Sequence, residues 1–198
     1  MHVSGQLHKI REIWYYYKLR ILIKVSDIKG EEAMKTLIVI DMQNDFIDGS
    51  LGSKEAVEIV PAVKEKISEY RANGDEVIFT RDTHHENYLN TNEGHYLPVV
   101  HCIENTEGWE IREGLYFDGA EIINKPSFGY TGWKERTFEE IEIIGLCTDI
   151  CVVSNALILK ALFPEIKISV DSKCCAGVTP DSHAAALETM KMCQIEII

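Results

Sequence analysis

Six short runs of apolar residues punctuate the chain: "TLIVI" (36–40), "EVIFT" (76–80), "AEIIN" (120–124), "IEIIG" (141–145), "KISV" (167–170) and "IEII" (195–198). They are near-continuous rather than alternating, which predicts strands covered on both faces, as in a buried parallel sheet. Between them the spacing turns helical. Val60, Val63, Ile67 and Tyr70 recur at three and four residues and are closed by Gly74, a residue suited to the left-handed end of a helix. Val152, Ala156, Leu159 and Phe163 make a second stripe that stops before Pro164, and Thr179-Pro180 opens a third helix reaching to about Met192, because proline is favoured at the first helical position. The alternation predicts an α/β fold, a doubly wound and mostly parallel sheet with helices on both faces.

In such a sheet the ligand crevice lies outside the carboxyl ends of the strands. Polar residues stand there: Asp41 after the first strand, Asp82 and His84 after the second, Lys125 after the third, and the segment 148–151 after the fourth. The fold expectation therefore brings four strand ends to one place.

Length and charge narrow the class. At 198 residues the chain suits one domain with a sizeable core. A net charge of -12 argues against a nucleic-acid surface, which needs basic residues against phosphate, and suits a neutral or cationic small molecule. The first 33 residues differ: they carry six Lys and Arg against four Asp and Glu, leaving the remainder at -14. Within them "WYYYKLRILIKV" is interrupted by Lys18, Arg20 and Lys24, well short of the roughly 20 apolar residues of a membrane span, and no signal-peptide core is present. Residues 1–33 are therefore expected to be an N-terminal extension, disordered or the product of an upstream mis-assigned start, with an amphipathic assembly segment as the alternative. "MKTLIVIDMQNDF" from Met34 reads as the start of the domain, 34–198. The six cysteines lie in apolar or strand-like contexts, which predicts reduced thiols and a cytoplasmic protein.

Chemistry concentrates in "EIIGLCTDICVVSNA", residues 142–156. If the strand ends at Gly145 and a helix starts near Asp149, Cys151 occupies its first turn while Cys147 lies in the connecting loop. Backbone N–H groups and the helix dipole favour a thiolate there, so Cys151 is the candidate nucleophile; the alternative is a small buried residue packing helix on sheet. Asp41 and Lys125 each end an apolar strand with a charge. Read singly, they are a turn-capping carboxylate and a solvated strand end. Together with a thiol they make a proton-transfer set.

These segments resemble a known family. "LIVIDMQNDF", "INKPSFG" and "GLCTDICV", in that order, are similar to the three signature segments of the isochorismatase-like cysteine hydrolases, which include the nicotinamidases, and the resemblance runs from about residue 35 to the C-terminus. It implies the isochorismatase-like hydrolase fold, a catalytic triad of Asp41, Lys125 and Cys151, and a non-proline cis peptide joining Leu146 to Cys147. It further implies an oxyanion hole from the backbone N–H groups of Cys147 and Cys151, with the Cys147 thiol a bystander, and a homo-oligomer; the charge and the interrupted apolar segment already argue against a nucleic-acid or membrane partner. The implied activity is hydrolysis of a small carboxamide through a thioester, nicotinamide to nicotinate and ammonia being the reference reaction. An isochorismatase proper has no need of a cysteine nucleophile, and a non-catalytic ligand-binding member of the fold would be marked by a lost triad residue; another small amide is the nearer alternative.

The resemblance also implies a metal. Asp82, His84 and His101 match nicotinamidase ligands by motif order, and Glu93 matches a fourth if one extra residue is allowed before His101, whereas His85 and His95 match nothing. Mixed carboxylate and imidazole donors suit zinc, with iron and manganese as alternatives; the competing reading is a polar loop with ordinary surface histidines. No nucleotide cofactor is implied. Phe46, Leu97 and Phe128 are the candidate pocket residues, Leu97 preceding Pro98 where nicotinamidases usually carry a tryptophan, and Trp109 is read as ordinary packing.

Overall fold

The structure, a computed structural model, describes residues 34–198; the expectations for residues 1–33 lie outside the described residues. Six strands form one sheet: β1 (Lys35–Ile40), β2 (Glu76–Asp82), β3 (Glu121–Lys125), β4 (Glu140–Leu146), β5 (Lys167–Ala176) and β6 (Glu196–Ile197). Every pairing is parallel, in the order β3-β2-β1-β4-β5-β6. The chain winds outward from β1 to β3 and then returns to β4 on the other side of β1. The strand order thus reverses between β1 and β4, where a crevice opens in sheets of this kind.

The near-continuous apolar runs follow from burial on both faces. Leu37 and Val39 of β1 pack with Val77, Phe79, Ile144 and Leu146 on one side, while Ile38 and Ile40 pack with Ile78, Ile141 and Ile143 on the other. The helix α1 (Lys54–Asn73) covers the first face through Ala56, Val63, Ile67 and Tyr70. The helices α2 (Val153–Leu162) and α3 (Pro180–Met192) cover the second through Ala156, Leu159 and Met190. Local signals set their ends. Ser53 accepts a hydrogen bond from the Ala56 N–H at 3.0 Å, Gly74 closes α1 at φ +78°, and Thr179 and Ser182 form a reciprocal cap ahead of α3, as such residues do.

The strand bounds differ from the sequence reading in instructive ways. β2 runs on to Asp82 and β3 ends on Lys125 itself, so both charges sit on the sheet's rim rather than beyond it. β5 continues six residues past Val170, with a register irregularity opposite Ile143–Gly145. Its polar stretch from Asp171 read as the strand's end, but Asp171 is satisfied from α1: Lys66 Nζ lies 3.0 Å from Asp171 Oδ2 and 2.9 Å from Glu142 Oε1, and the Tyr70 hydroxyl donates to Glu142 Oε2 at 2.8 Å. β6 shrinks to two residues. Among the described residues no helix is long and apolar enough to cross a membrane.

Candidate active site

Asp41 is the first residue beyond β1 and takes a left-handed backbone conformation, φ +46°, which aspartate tolerates better than most residues. The neighbouring strand holds it: its N–H donates to Thr80 Oγ1 at 3.2 Å and the Thr80 hydroxyl donates to Asp41 Oδ1 at 2.6 Å. The other oxygen, Oδ2, lies 2.6 Å from Lys125 Nζ in an ion-pair contact that falls outside hydrogen-bonding alignment. The same ammonium stands 3.4 Å from Cys151 Sγ and 3.4 Å from Asp82 Oδ1, and donates to the Ser127 carbonyl at 3.2 Å. Asp41 and Lys125 are fully buried and Cys151 nearly so. Three residues far apart in sequence thus share one dry contact set.

The peptide joining Leu146 to Cys147 is cis, as the resemblance implied. Residues 148–152 then form a π-helical turn, closed by the Val152 N–H to the Cys147 carbonyl at 3.1 Å, before α2 begins; such turns gather at functional sites. Cys151 therefore lies in a wider turn ahead of the α-helix, not in its first turn. Asn155 pins it. Its carboxamide nitrogen donates to the Cys151 carbonyl at 2.8 Å and the Phe128 carbonyl at 3.0 Å, while its oxygen accepts from the Tyr130 N–H and the Trp133 indole. That side chain ties the cysteine turn to the segment following Lys125, and sequence reasoning missed it.

The helix end, expected to favour a thiolate at Cys151, is opposed by the surroundings of the thiol. Burial holds the Cys151 thiol well above its ordinary value, the negative Asp41 adds to this, and Lys125 only partly offsets both. Burial, with Asp149, pushes Cys147 up to about 12. Asp41 is raised too, because burial outweighs the nearby Lys125 and Asp82 adds repulsion. Burial would neutralise Lys125, but the carboxylates of Asp41 and Asp82 outweigh it and keep the ammonium charged. The thiol proton therefore lies beside a carboxyl group of raised proton affinity, an arrangement able to pass that proton across.

Beside this set, Asp82, His84, Glu93 and His101 bring one donor atom each to within 4.8 Å of one another. His101 Nδ1 faces the Val99 carbonyl at 2.8 Å, an acceptor that orients the ring so that Nε2 faces inward. That nitrogen is 3.7 Å from Asp82 Oδ2 and 3.8 Å from Glu93 Oε1. His84 Nε2 is buried without an aligned hydrogen-bond partner, although Asp82 Oδ2 lies 3.0 Å away. Burial alone would lower the His84 imidazole, yet Asp82 and Glu93 overcome it and lift it to about 9. Two imidazole nitrogens and two carboxylates converge on one point, and the donor set fits a divalent cation. His85 and His95 lie on the exposed surface.

A cavity of about 510 Å³ opens onto both groups. Phe46, Leu97 and Phe128 line it as expected, together with Asp82, Glu93, His101, Cys147 and Cys151. Trp109 is buried in the core, its indole donating to Thr83 Oγ1 at 2.9 Å beneath the Arg81 guanidinium. Missed from sequence were Leu51, Ala56, Ile150 and Val178, small and aliphatic residues that carry no chemical signal until the fold assembles them.

With this geometry in hand, comparison with known proteins is informative. The model of the isochorismatase domain matches residues 35–198. The nicotinamidase/pyrazinamidase of Mycobacterium tuberculosis is 25% identical over 188 residues, covering 83% of this chain and 98% of that protein. The nicotinamidase of Saccharomyces cerevisiae is 30% identical over 83% of this chain and 99% of its own length. Among solved structures, the pyrazinamidase of Pyrococcus horikoshii in complex with zinc superposes with a TM-score of 0.73 at 30% identity, over 83% of this chain and 98% of that one.

Proposed function

Because the chain belongs to the isochorismatase family over residues 35–198, we propose that it is a cysteine amidohydrolase that cleaves the C–N bond of a small carboxamide, nicotinamide foremost, to a carboxylate and ammonia. The observation that carries this reading is the buried contact set in which Lys125 Nζ lies 2.6 Å from Asp41 Oδ2 and 3.4 Å from Cys151 Sγ. The relatives named above, nicotinamidases by name, support the choice of amide.

In the proposed mechanism Asp41 takes the thiol proton of Cys151 as the sulfur attacks the amide carbon. The raised proton affinity of Asp41 suits a group that must hold this proton and then release it. Lys125 stays positive beside both Asp41 and Cys151 and favours the negative charge as it passes from the carboxylate to the sulfur. The tetrahedral oxyanion is held by the N–H groups of Cys147 and Cys151, donors fixed before the reaction begins. Asp41 then gives its proton to the departing nitrogen, ammonia leaves, and a thioester joins the acyl group to Cys151. Water adds to the thioester carbon, Asp41 takes a proton from it, and the carboxylic acid departs as the thiol is regenerated.

Asp82, His84, Glu93 and His101 would hold a divalent metal, zinc first, with iron and manganese as alternatives. When bound it supplies a Lewis-acid position for a neutral donor atom of the substrate. Asp82 touches both His84 and Lys125, so its carboxylate ties that position to the triad. The six free thiols support a reducing compartment, the cytoplasm, and the family resemblance supports a homo-oligomer, which the solution mass reads directly.

The reading is tested by ammonia release from nicotinamide and pyrazinamide, with protein as purified, after chelation, and after metal is returned. Turnover that falls on chelation and recovers on add-back is the expected result. Folded, metal-loaded protein that releases no ammonia from either would overturn it.

A further inference from the structure

The cavity is far larger than its polar end requires. At about 510 Å³ it falls among the pockets of about 300–1,000 Å³ that enclose drug-sized ligands, several times what one aromatic ring and a carboxamide displace. Its long axis follows from the sheet. Asp82 ends β2, Cys147 follows β4, and Gly177 and Val178 follow β5. β2 and β5 stand three strand spacings apart in the order, about 14 Å at about 4.8 Å per spacing. The polar donors Asp82, Glu93 and His101 therefore lie toward one end and Val178 toward the other, with the cysteine turn between.

The two ends differ in character. Beyond Cys151 the lining is Leu51, Ala56, Ile150 and Val178, with Phe128 at the rim. Ser53, the one hydroxyl on that wall, already accepts from the Ala56 N–H. Among the described residues no lysine or arginine lines the cavity, and its carboxylates are Asp82 and Glu93. Asp41 and Lys125 lie buried beside Cys151 and outside the lining, so the nitrogen that receives Asp41's proton must come up against this inner wall, where a substituent on it would intervene. Space for growth exists only on the acyl side.

We propose that the site takes primary carboxamides whose acyl group carries an uncharged apolar arm lying over Leu51, Ala56, Ile150 and Val178. This rests on the amidohydrolase reading and assigns its substrate class: a bare NH2 on the leaving side, and an acyl part longer than a single ring. An anionic arm would lie over this apolar wall with no cation among the described residues to pair it. A substituent on the amide nitrogen would displace the contact with Asp41.

The test is kcat/KM for ammonia or amine release by the metal-loaded protein across three sets: nicotinamide and linear primary amides of increasing length, the same amides ending in a carboxylate, and N-alkyl amides. Burial of each added methylene predicts a rise of about fourfold until the cavity is filled, with the carboxylate-ended and N-alkyl sets far slower. Val178→Asp, at a position 58% exposed and so harmless to folding, should flatten the rise. Nicotinamide turned over while the linear series stays flat or declines would overturn the apolar arm and leave the amidohydrolase reading standing. Failure of every amide would remove that reading and this one with it.

Discussion

Thr80 shows how much of the site rests on a residue that does no chemistry itself. Its hydroxyl accepts from the Asp41 N–H and donates to Asp41 Oδ1, which fixes the carboxylate so that Oδ2 meets Lys125. Asp41 must be ionised to take the thiol proton. Burial already raises its proton affinity, and the Thr80 donor is one of the few groups lowering it. Thr80→Val removes that donor without changing the side chain's shape, so Asp41 should titrate higher still and activity should fail at higher pH on the acid side. A hydrogen bond to a charged group is worth about 1.5–3 kcal/mol, and the acid limb of kcat/KM should move up by about one pH unit or more, with Thr80→Ser restoring it. A lower rate with an unmoved pH profile would mean that Thr80 serves folding alone. The sequence could mark Asp41 and Lys125, because a charge ending an apolar strand demands a partner. It could not mark Thr80: threonine is ordinary in strands, and its role exists only because the register pairing Val39 with Phe79 sets it beside Asp41. Asn155 was hidden because its four contacts join the cysteine turn to the segment following Lys125, a juxtaposition only the fold makes.

At the scale of elements, β4 carries the cysteine turn, and its bend is built around Gly145. That residue sits at φ +117° directly opposite Ile40 in the register, and a Cβ there would collide with the Ile40 carbonyl oxygen. Ile40 precedes Asp41, so relief of the clash would move the proton acceptor as well as the strand. Gly145→Ala should therefore destabilise the protein by about 3 kcal/mol or more in urea unfolding, and the surviving folded fraction should turn over more slowly. Stability equal to that of the parent would show that β1 and β4 are not so closely fitted. Strands and helices were legible where apolar periodicity was unbroken, as in β1 and α1. They were misread where polar residues inside an element are satisfied by a distant partner, as Asp171 of β5 is by Lys66. The helix-terminus argument for Cys151 rested on incomplete physics: the turn is π-helical, and burial with Asp41 outweighs whatever the helix end contributes.

On the scale of the whole molecule, the parallel order β3-β2-β1-β4-β5-β6 is what turns scattered residues into a site. Parallel strands present all their carboxyl ends on one edge, so Asp41, Asp82, Lys125 and Cys147 meet there although they span about half the chain. The net charge of -12 disfavours anionic ligands over the whole surface, in keeping with a neutral amide. The central claim is that Cys151, and not Cys147, is the nucleophile, and it is tested most directly by ammonia release from one good amide substrate with the unaltered protein, Cys151→Ala and Cys147→Ala, each checked for folding by circular dichroism. Loss of the nucleophile should lower kcat by at least about a thousandfold, whereas Cys147→Ala, which keeps the backbone N–H, should stay within about tenfold of the parent. Turnover retained in Cys151→Ala, or abolished in Cys147→Ala alone, would contradict the account.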